Sequence, residues 1–250
     1  MDAFYCFCFA PACLPSDLRF DDCGWEDPIE VRRLAGLDVI LSRVPLGRFT
    51  GAEAEQRLAD LDWLVPRAAA HDRVIARTME SATVFPLTFG TLFSSLSAIA
   101  LEVAARRHAL LDFFERMAGC EEWAVKVAMD RDRAIAARMQ ALYPDVGELP
   151  AGGRGYLLRQ RRRGEAEQAL GPWLKVQLAC LDEALRASCE TLLIRPARDA
   201  VVASRACLVA RDRAPSLKEA IEGSREAFAE QGLHLHCSGP WPLYSFCGTP

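Results

Sequence analysis

The sequence has no surplus of positive charge. Its 30 lysines and arginines face 34 acidic residues, a formal net charge of −4. Nucleic-acid binders of this size are usually strongly basic, so that class is disfavoured. No glycine-rich phosphate loop of the Walker or dinucleotide kind is present; Gly152-Gly153-Arg154-Gly155 has the wrong spacing. There is no internal repeat and no low-complexity segment. Met1-Asp2-Ala3 opens acidic, whereas a secretory signal opens positive. A cytoplasmic protein is therefore expected. Charge is missing altogether from Ser81 to Leu101, a stretch long enough to cross a bilayer. It holds Pro86, Gly90 and seven Ser or Thr residues, however, and lipid tolerates few such groups. It reads as a buried strand, a turn and the start of a helix.

What is present is globular. Of 250 residues, 51% are hydrophobic and 26% charged, more apolar than a disordered chain. A chain of this length makes one large domain or two modest ones. There are ten cysteines. Most stand in apolar runs, where a thiol packs as a small hydrophobe, and in a cytosolic chain they are expected to be reduced.

The first half alternates strand and helix signals. Ala3–Phe9 is continuously apolar, as a central strand would be. Leu37–Val44 is a second strand, ended by Pro45. Thr50-Gly-Ala-Glu53 has the form of a capping box. The helix after it sets Ala54, Leu58, Leu61, Val65 and Ala68 on one apolar stripe expected to face the core, with Pro66 bending it. Thr83–Phe89 reads as a strand and Ser94–Ala118 as a helix closed by Gly119. Trp123, Val125, Val127 and Met129 alternate with smaller or polar residues, the period of a half-buried strand. This order predicts an α+β domain over 1–130, a ferredoxin-like sheet with helices on one face.

Residues 131–250 are expected to form a second α+β domain with a long helix or helical hairpin. Tyr143–Gly155 reads as a loop or linker. A helix over Arg154–Cys189 carries Leu174, Leu178, Leu181 and Leu185 as its seam, with a kink or a division into two helices expected at Gly171-Pro172. Thr191–Ile194 and Ala200–Val209 read as paired strands. Ser216-Leu-Lys-Glu219 resembles a second capping box, opening a helix that Gly232 closes before a last strand, Leu233–Cys237. Residues 239–250 form an aromatic, proline-rich tail.

Five phrases occur in an order that resembles one family: Leu61-Asp-Trp-Leu-Val-Pro-Arg-Ala with Ala70-His71, Phe85-Pro-Leu-Thr-Phe-Gly-Thr-Leu-Phe93, Glu122-Trp-Ala-Val-Lys-Val127, Gly155-Tyr-Leu-Leu-Arg159 and Gly239-Pro-Trp-Pro-Leu-Tyr-Ser-Phe246. Together they are similar to the GvpF/GvpL family of gas vesicle proteins over nearly the whole chain. The resemblance implies two α+β domains and no catalytic activity. It implies partnership with the hydrophobic shell protein GvpA and with other gas vesicle accessory proteins, and a place in gas vesicle nucleation and assembly, keeping GvpA from aggregating.

Several groups admit a chemical reading beside a plain one. Cys6-x-Cys8, with Cys13 and Cys23, could offer thiolates to zinc, but its apolar setting favours core packing. His234-x-His236 shares one strand face, with Leu233, Leu235 and Cys237 opposite; an outer face is favoured over a metal pair. His71 beside Asp72 carries no local catalytic signature. No cofactor is expected. Arg154, Arg159, Arg161, Arg162 and Arg163 form the one basic cluster, a solvated helix face or a partner surface. The closing aromatics either pack on their own domain or face a partner. Trp241, Tyr244, Phe246, Arg159 and Arg162 are the candidate partner contacts. The alternative class is a small-ligand-binding ferredoxin-like regulatory protein; a cysteine- or metal-dependent enzyme is a third.

Overall fold

The computed structural model describes residues 2–145 and 152–248. Residues 146–151 of the loop expected at 143–155, and the last two residues of the tail, lie outside the described residues. The elements run β1 (Asp2–Pro11), β2 (Ile29–Leu34), β3 (Leu37–Pro45), α1 (Ala52–Ala59), α2 (Leu61–Met79), β4 (Phe85–Pro86), β5 (Leu92–Phe93), α3 (Leu96–Arg116), β6 (Cys120–Met129), α4 (Arg131–Leu142), α5 (Gly153–Arg186), β7 (Thr191–Arg195), β8 (Val201–Ala210), α6 (Ala214–Glu230) and β9 (Leu233–Trp241). The chain divides into two compact units, Met1–Glu121 with Trp241–Pro250, and Glu122–Pro240.

In the first unit the sheet order is β2-β3-β1-β4, with β5 also paired to β1. That is the ferredoxin-like arrangement, in which the first and third strands sit side by side. Strand β1 is central, and Tyr5–Ala10 are buried without a break, which explains its lack of alternation. It pairs antiparallel with β3 from Asp2 opposite Pro45 to Pro11 opposite Leu37, with a bulge between Cys6 and Cys8. Val74 and Ile75 of α2 close the core over Tyr5, Phe7 and Cys8. The edge strand β2 was not legible in the sequence: Ile29-Glu-Val-Arg-Arg-Leu34 is half exposed and charged, as an edge that must resist further pairing tends to be.

The helix at Thr50 departs from expectation. Thr50 does not cap it; its hydroxyl donates to the Leu46 carbonyl at 2.9 Å, and Gly51 holds the N-cap position without a side-chain bond. The chain breaks at Asp60, whose carboxylate accepts from the Asp62 N–H at 3.0 Å and starts α2 afresh. This break turns the expected stripe outward: Ala54 is buried, but Leu58, Leu61 and Val65 are exposed. Thr83–Phe89 likewise yields only the two short pairings of β4 and β5, flanking the turn at Thr88–Thr91.

In the second unit the order is β7-β8-β6-β9, again with the first and third strands of the unit adjacent. Strand β6, expected to close the first domain, belongs to this second sheet. The unit boundary therefore falls before Glu122, because β6 finds its partners in β8 and β9. Trp123, Val125 and Val127 point into a core with Leu181, Leu185, Ala203, Cys207, Leu217 and Leu233. Helix α5 runs unbroken through Gly171-Pro172. Proline removes one internal hydrogen bond, and both residues are exposed, so water can satisfy the carbonyl that is freed. Helix α6 begins at Ala214 with Pro215 in its first turn and no side-chain cap, so Ser216-Leu-Lys-Glu219 lies inside it and is no capping box. Proline is favoured there because that N–H would be unpaired anyway.

Candidate functional site

The sequence Phe85–Phe93 leaves the sheet and returns to it through a set of hydrogen bonds to β1. The Leu87 N–H donates to the Phe7 carbonyl at 2.9 Å, and the Cys6 N–H donates to the Thr91 carbonyl at 3.0 Å. Between them the Thr91 N–H and hydroxyl both donate to the Thr88 carbonyl, at 3.1 and 2.7 Å. Two short pairings therefore replace one strand, because the turn uses the backbone groups that a strand would offer to its neighbour.

Under this turn lies a buried polar chain. The Tyr5 hydroxyl accepts from the Gly90 N–H at 3.1 Å and donates to His71 Nδ1 at 2.9 Å. Nε2 of His71 donates to the Leu87 carbonyl at 3.0 Å. A carbonyl only accepts, so the proton sits on Nε2 and Nδ1 is the acceptor. Burial holds the His71 pKa below its ordinary value, which keeps the ring neutral. Burial also pushes the Tyr5 hydroxyl up. Both ring nitrogens are thus satisfied inside the core, and His71 joins helix to turn. Its two partners are a phenol and a backbone carbonyl.

The closing tail meets the same turn. Pro242 and Leu243 are buried, the Tyr244 hydroxyl donates to Asp72 at 2.8 Å, and the Cys247 thiol approaches the Pro86 carbonyl at 3.9 Å. The tail thus packs within the first unit; the sequence order had suggested the second. Between tail and turn is a groove of about 370 Å³ whose lining includes Phe9, Phe85, Phe93, Arg106, Tyr244 and Cys247. The Arg106 guanidinium lies over the Phe85 ring at 4.9 Å and pairs with Glu102 at 3.5 Å. The lining is mainly aromatic and aliphatic, with those two charges at its edge. Tyr5, Asp72 and Arg106, which organise this region, carried no motif of their own. The signal for Tyr5 was a phenol inside an otherwise apolar run, since a buried hydroxyl must find a partner.

The candidate partner contacts divide between the units. Trp241 and Tyr244 are 41% and 37% exposed, and Phe246 is half-buried. Arg159 and Arg162 stand on α5 in the second unit. Arg162 holds Asp145 through two bonds of 3.1 and 3.0 Å and stacks 4.7 Å over the Tyr143 ring. Its neighbours Arg161 and Arg163 pair with Glu165 and Asp132, at 3.0 and 2.6 Å. Much of the basic cluster therefore fastens the hairpin of α4 and α5.

Cys6, Cys8, Cys23, Cys189 and Cys207 are buried; Cys13 and Cys180 are exposed. Burial pushes the Cys6 thiol up to about 12, so the buried thiols of β1 are weak nucleophiles. Among the described residues no three His, Cys, Asp or Glu side chains are placed to hold a metal ion. His234 and His236 face outward, alternating with buried Leu233 and Leu235. No helix among the described residues is long and apolar enough to cross a membrane.

The sequence model of the family described as gas vesicle synthesis protein GvpL/GvpF matches residues 3–248. Gas vesicle protein L of Streptomyces sp. (strain CB03234) is 30% identical over 233 residues, covering 89% of this chain and 84% of that protein. The crystal structure of the gas vesicle protein GvpF from Anabaena sp. PCC7120 superposes with a TM-score of 0.74 at 15% identity, covering 100% of this chain and 98% of the other. That of GvpF from Microcystis aeruginosa superposes with a TM-score of 0.70 at 17% identity, covering 99% of each. The two α+β units, the turn at Phe85–Phe93 and the tail packed beside it are thus the framework of a gas vesicle protein, and this chain belongs to the GvpL/GvpF family.

Proposed function

We propose that this protein acts without catalysis in gas vesicle assembly, binding the shell protein GvpA, keeping it from aggregating while a vesicle is nucleated, and working in the cytoplasm with other gas vesicle proteins. One observation supports the binding role beyond family membership. Large aliphatic side chains are left in water on both units: Leu61 and Val65 on the first, Leu157 and Val176 on the second, with exposures of 67, 58, 69 and 58%. Isolated exposed leucines are ordinary, but Leu61 and Val65, four residues apart on α2, share one helix face and suit contact with an apolar protein. Trp241, Tyr244, Phe246, Arg159 and Arg162 are offered as further contacts. The test is co-expression: soluble GvpA should rise when this chain is present. Equal aggregation with and without it would refute the role.

The groove beside Phe85 supports a second reading, a regulatory domain for a small ligand, since such sites are mostly apolar with a few polar groups. A rise in melting temperature with a metabolite library would favour it.

A further inference from the structure

We propose that the outward side of α2 is a docking strip for an amphipathic helix whose apolar face is bordered by lysine or arginine. The strip rests on the partner-binding role proposed above and gives that role a location. Leu61, Val65, Ala68 and Asp72 succeed one another at steps of four, three and four, the spacing that keeps residues on one side of a helix. Leu61 and Val65 stand in solvent and Ala68 is half-buried. At Asp72 the strip meets the half-exposed Tyr244, joined to it by the 2.8 Å hydrogen bond. Eleven residue steps span about 16 Å, three turns of helix. The apolar part of this ridge, Leu61 to Ala68, covers about 10 Å or two turns, and matches a stretch of the groove along a second helix.

The charges choose the partner. Glu55, Asp60 and Asp62 are exposed around the α1–α2 break. Among the described residues no lysine or arginine lies within ion-pair distance of them. The arginines on these two helices are committed elsewhere: Arg57 to Glu53, Arg67 to Glu26, Arg73 to the Cys23 carbonyl and Arg77 to Glu80. The open end of the strip is therefore negative, and basic borders on the partner would complete it. The same charge disfavours two other occupants. A second copy related by a two-fold axis would set carboxylates against carboxylates. An anionic lipid surface would be repelled. Few apolar side chains are involved, which fits a short-lived complex rather than a permanent one.

Two measurements test this. The first is fluorescence anisotropy with a labelled helical Leu/Lys peptide, and with its Leu/Glu counterpart, against the full chain. Wild type should bind the Leu/Lys peptide and not the Leu/Glu one. Leu61→Ser/Val65→Ser should weaken binding about tenfold. Glu55→Gln/Asp62→Asn should weaken it less, and the difference should shrink in high salt. Undiminished binding by the serine variant, or equal binding of both peptides, overturns the strip. Unchanged circular dichroism and melting temperature would show that the variants fold, as expected for exposed sites. The second is soluble GvpA on co-expression with each variant. If wild type raises it and the serine variant raises it equally, the strip fails while the assembly role stands. If wild type itself has no effect, the assembly role fails and the peptide experiment still decides the strip.

Discussion

The Tyr5 hydroxyl and His71 Nδ1 stand 2.9 Å apart in the core of the first unit. Tyr5 belongs to the central strand, His71 to the helix above it, and the third member of the set, Gly90, to the turn between β4 and β5. One phenol thus ties three elements together. It adds to the backbone bonds of Leu87 and Thr91 that hold the turn.

Removing the phenol oxygen should be costly for its size. Tyr5→Phe keeps the ring but leaves a buried imidazole nitrogen and the Gly90 N–H without their partner. An unsatisfied buried group costs about 1–3 kcal/mol. Denaturant unfolding should show a loss in that range; a loss under half a kcal/mol would mean that water replaces the hydroxyl.

Acid should weaken the fold through His71. Its folded-state pKa is lowered by burial, so the unfolded chain takes up the proton first as pH falls. The contribution is fully present above the unfolded-state value of about 6.5 and is lost as pH falls below it, levelling off once the folded ring also titrates. Melting temperature measured from pH 7.5 to 5 should fall more steeply for wild type than for His71→Phe. Parallel curves would assign the acid sensitivity to other groups.

Arg205 and Asp182 make two bonds of 2.6 and 3.0 Å, and both side chains are buried in the second unit. Removing one partner strands the other charge. Arg205→Leu should therefore destabilise by about 3–5 kcal/mol, and adding Asp182→Leu should recover much of that. A double variant no more stable than the single one would show that the pair contributes beyond charge balance.

Gly232 and Gly223 should respond oppositely to alanine. Gly232 has a φ of +76°, and a Cβ there would meet the Ala134 backbone nitrogen at 2.6 Å. Gly232→Ala should cost about 2 kcal/mol or more from strain alone. Gly223 lies inside α6 with nothing within 4 Å of a Cβ, so Gly223→Ala should stabilise by about 0.5–1 kcal/mol. Thermal melts of the two variants compare them directly.

In the tail, packing and contact should separate by residue. Leu243 is buried, whereas Trp241 is exposed. Leu243→Ala should cost about 2–5 kcal/mol and make the tail an early site of limited proteolysis. Trp241→Ala should cost less than Leu243→Ala and leave the tail less open to cleavage. Equal cleavage of the two variants would show that Leu243 does not anchor the tail.

Local signals in the sequence were sound where one residue type suffices. The apolar run of β1, the alternation of Trp123, Val125 and Val127, and the glycines at 119 and 232 each reflect a constraint carried by neighbouring residues, and the structure keeps them. So did the order of family phrases. Other signals failed where a distant group competed. Thr50 has a capping hydroxyl, but the Leu46 carbonyl takes it. Ser216 lies within a helix that Pro215 had already started. The arginine cluster reads as one positive patch until acidic residues on α4 and beyond pair with it.

The sequence by itself determined the class of this protein: two α+β units, an apolar central strand, and two aromatic phrases that label the gas vesicle family. Periodicity and composition suffice for the units and the strand, because burial acts on each segment separately; the family label rests on the resemblance of the phrases themselves. Only the tertiary structure decided where those pieces act. It gave β6 to the second sheet and the tail to the first unit, and it placed the Tyr5–His71–Gly90 set beneath the Phe85–Phe93 turn. It also turned Leu61 and Val65 outward, since the break at Asp60 rotates α2 away from the stripe that the spacing describes. Such pairings join residues far apart in the chain, and hydrogen bonds and charges choose among partners that no local pattern can rank.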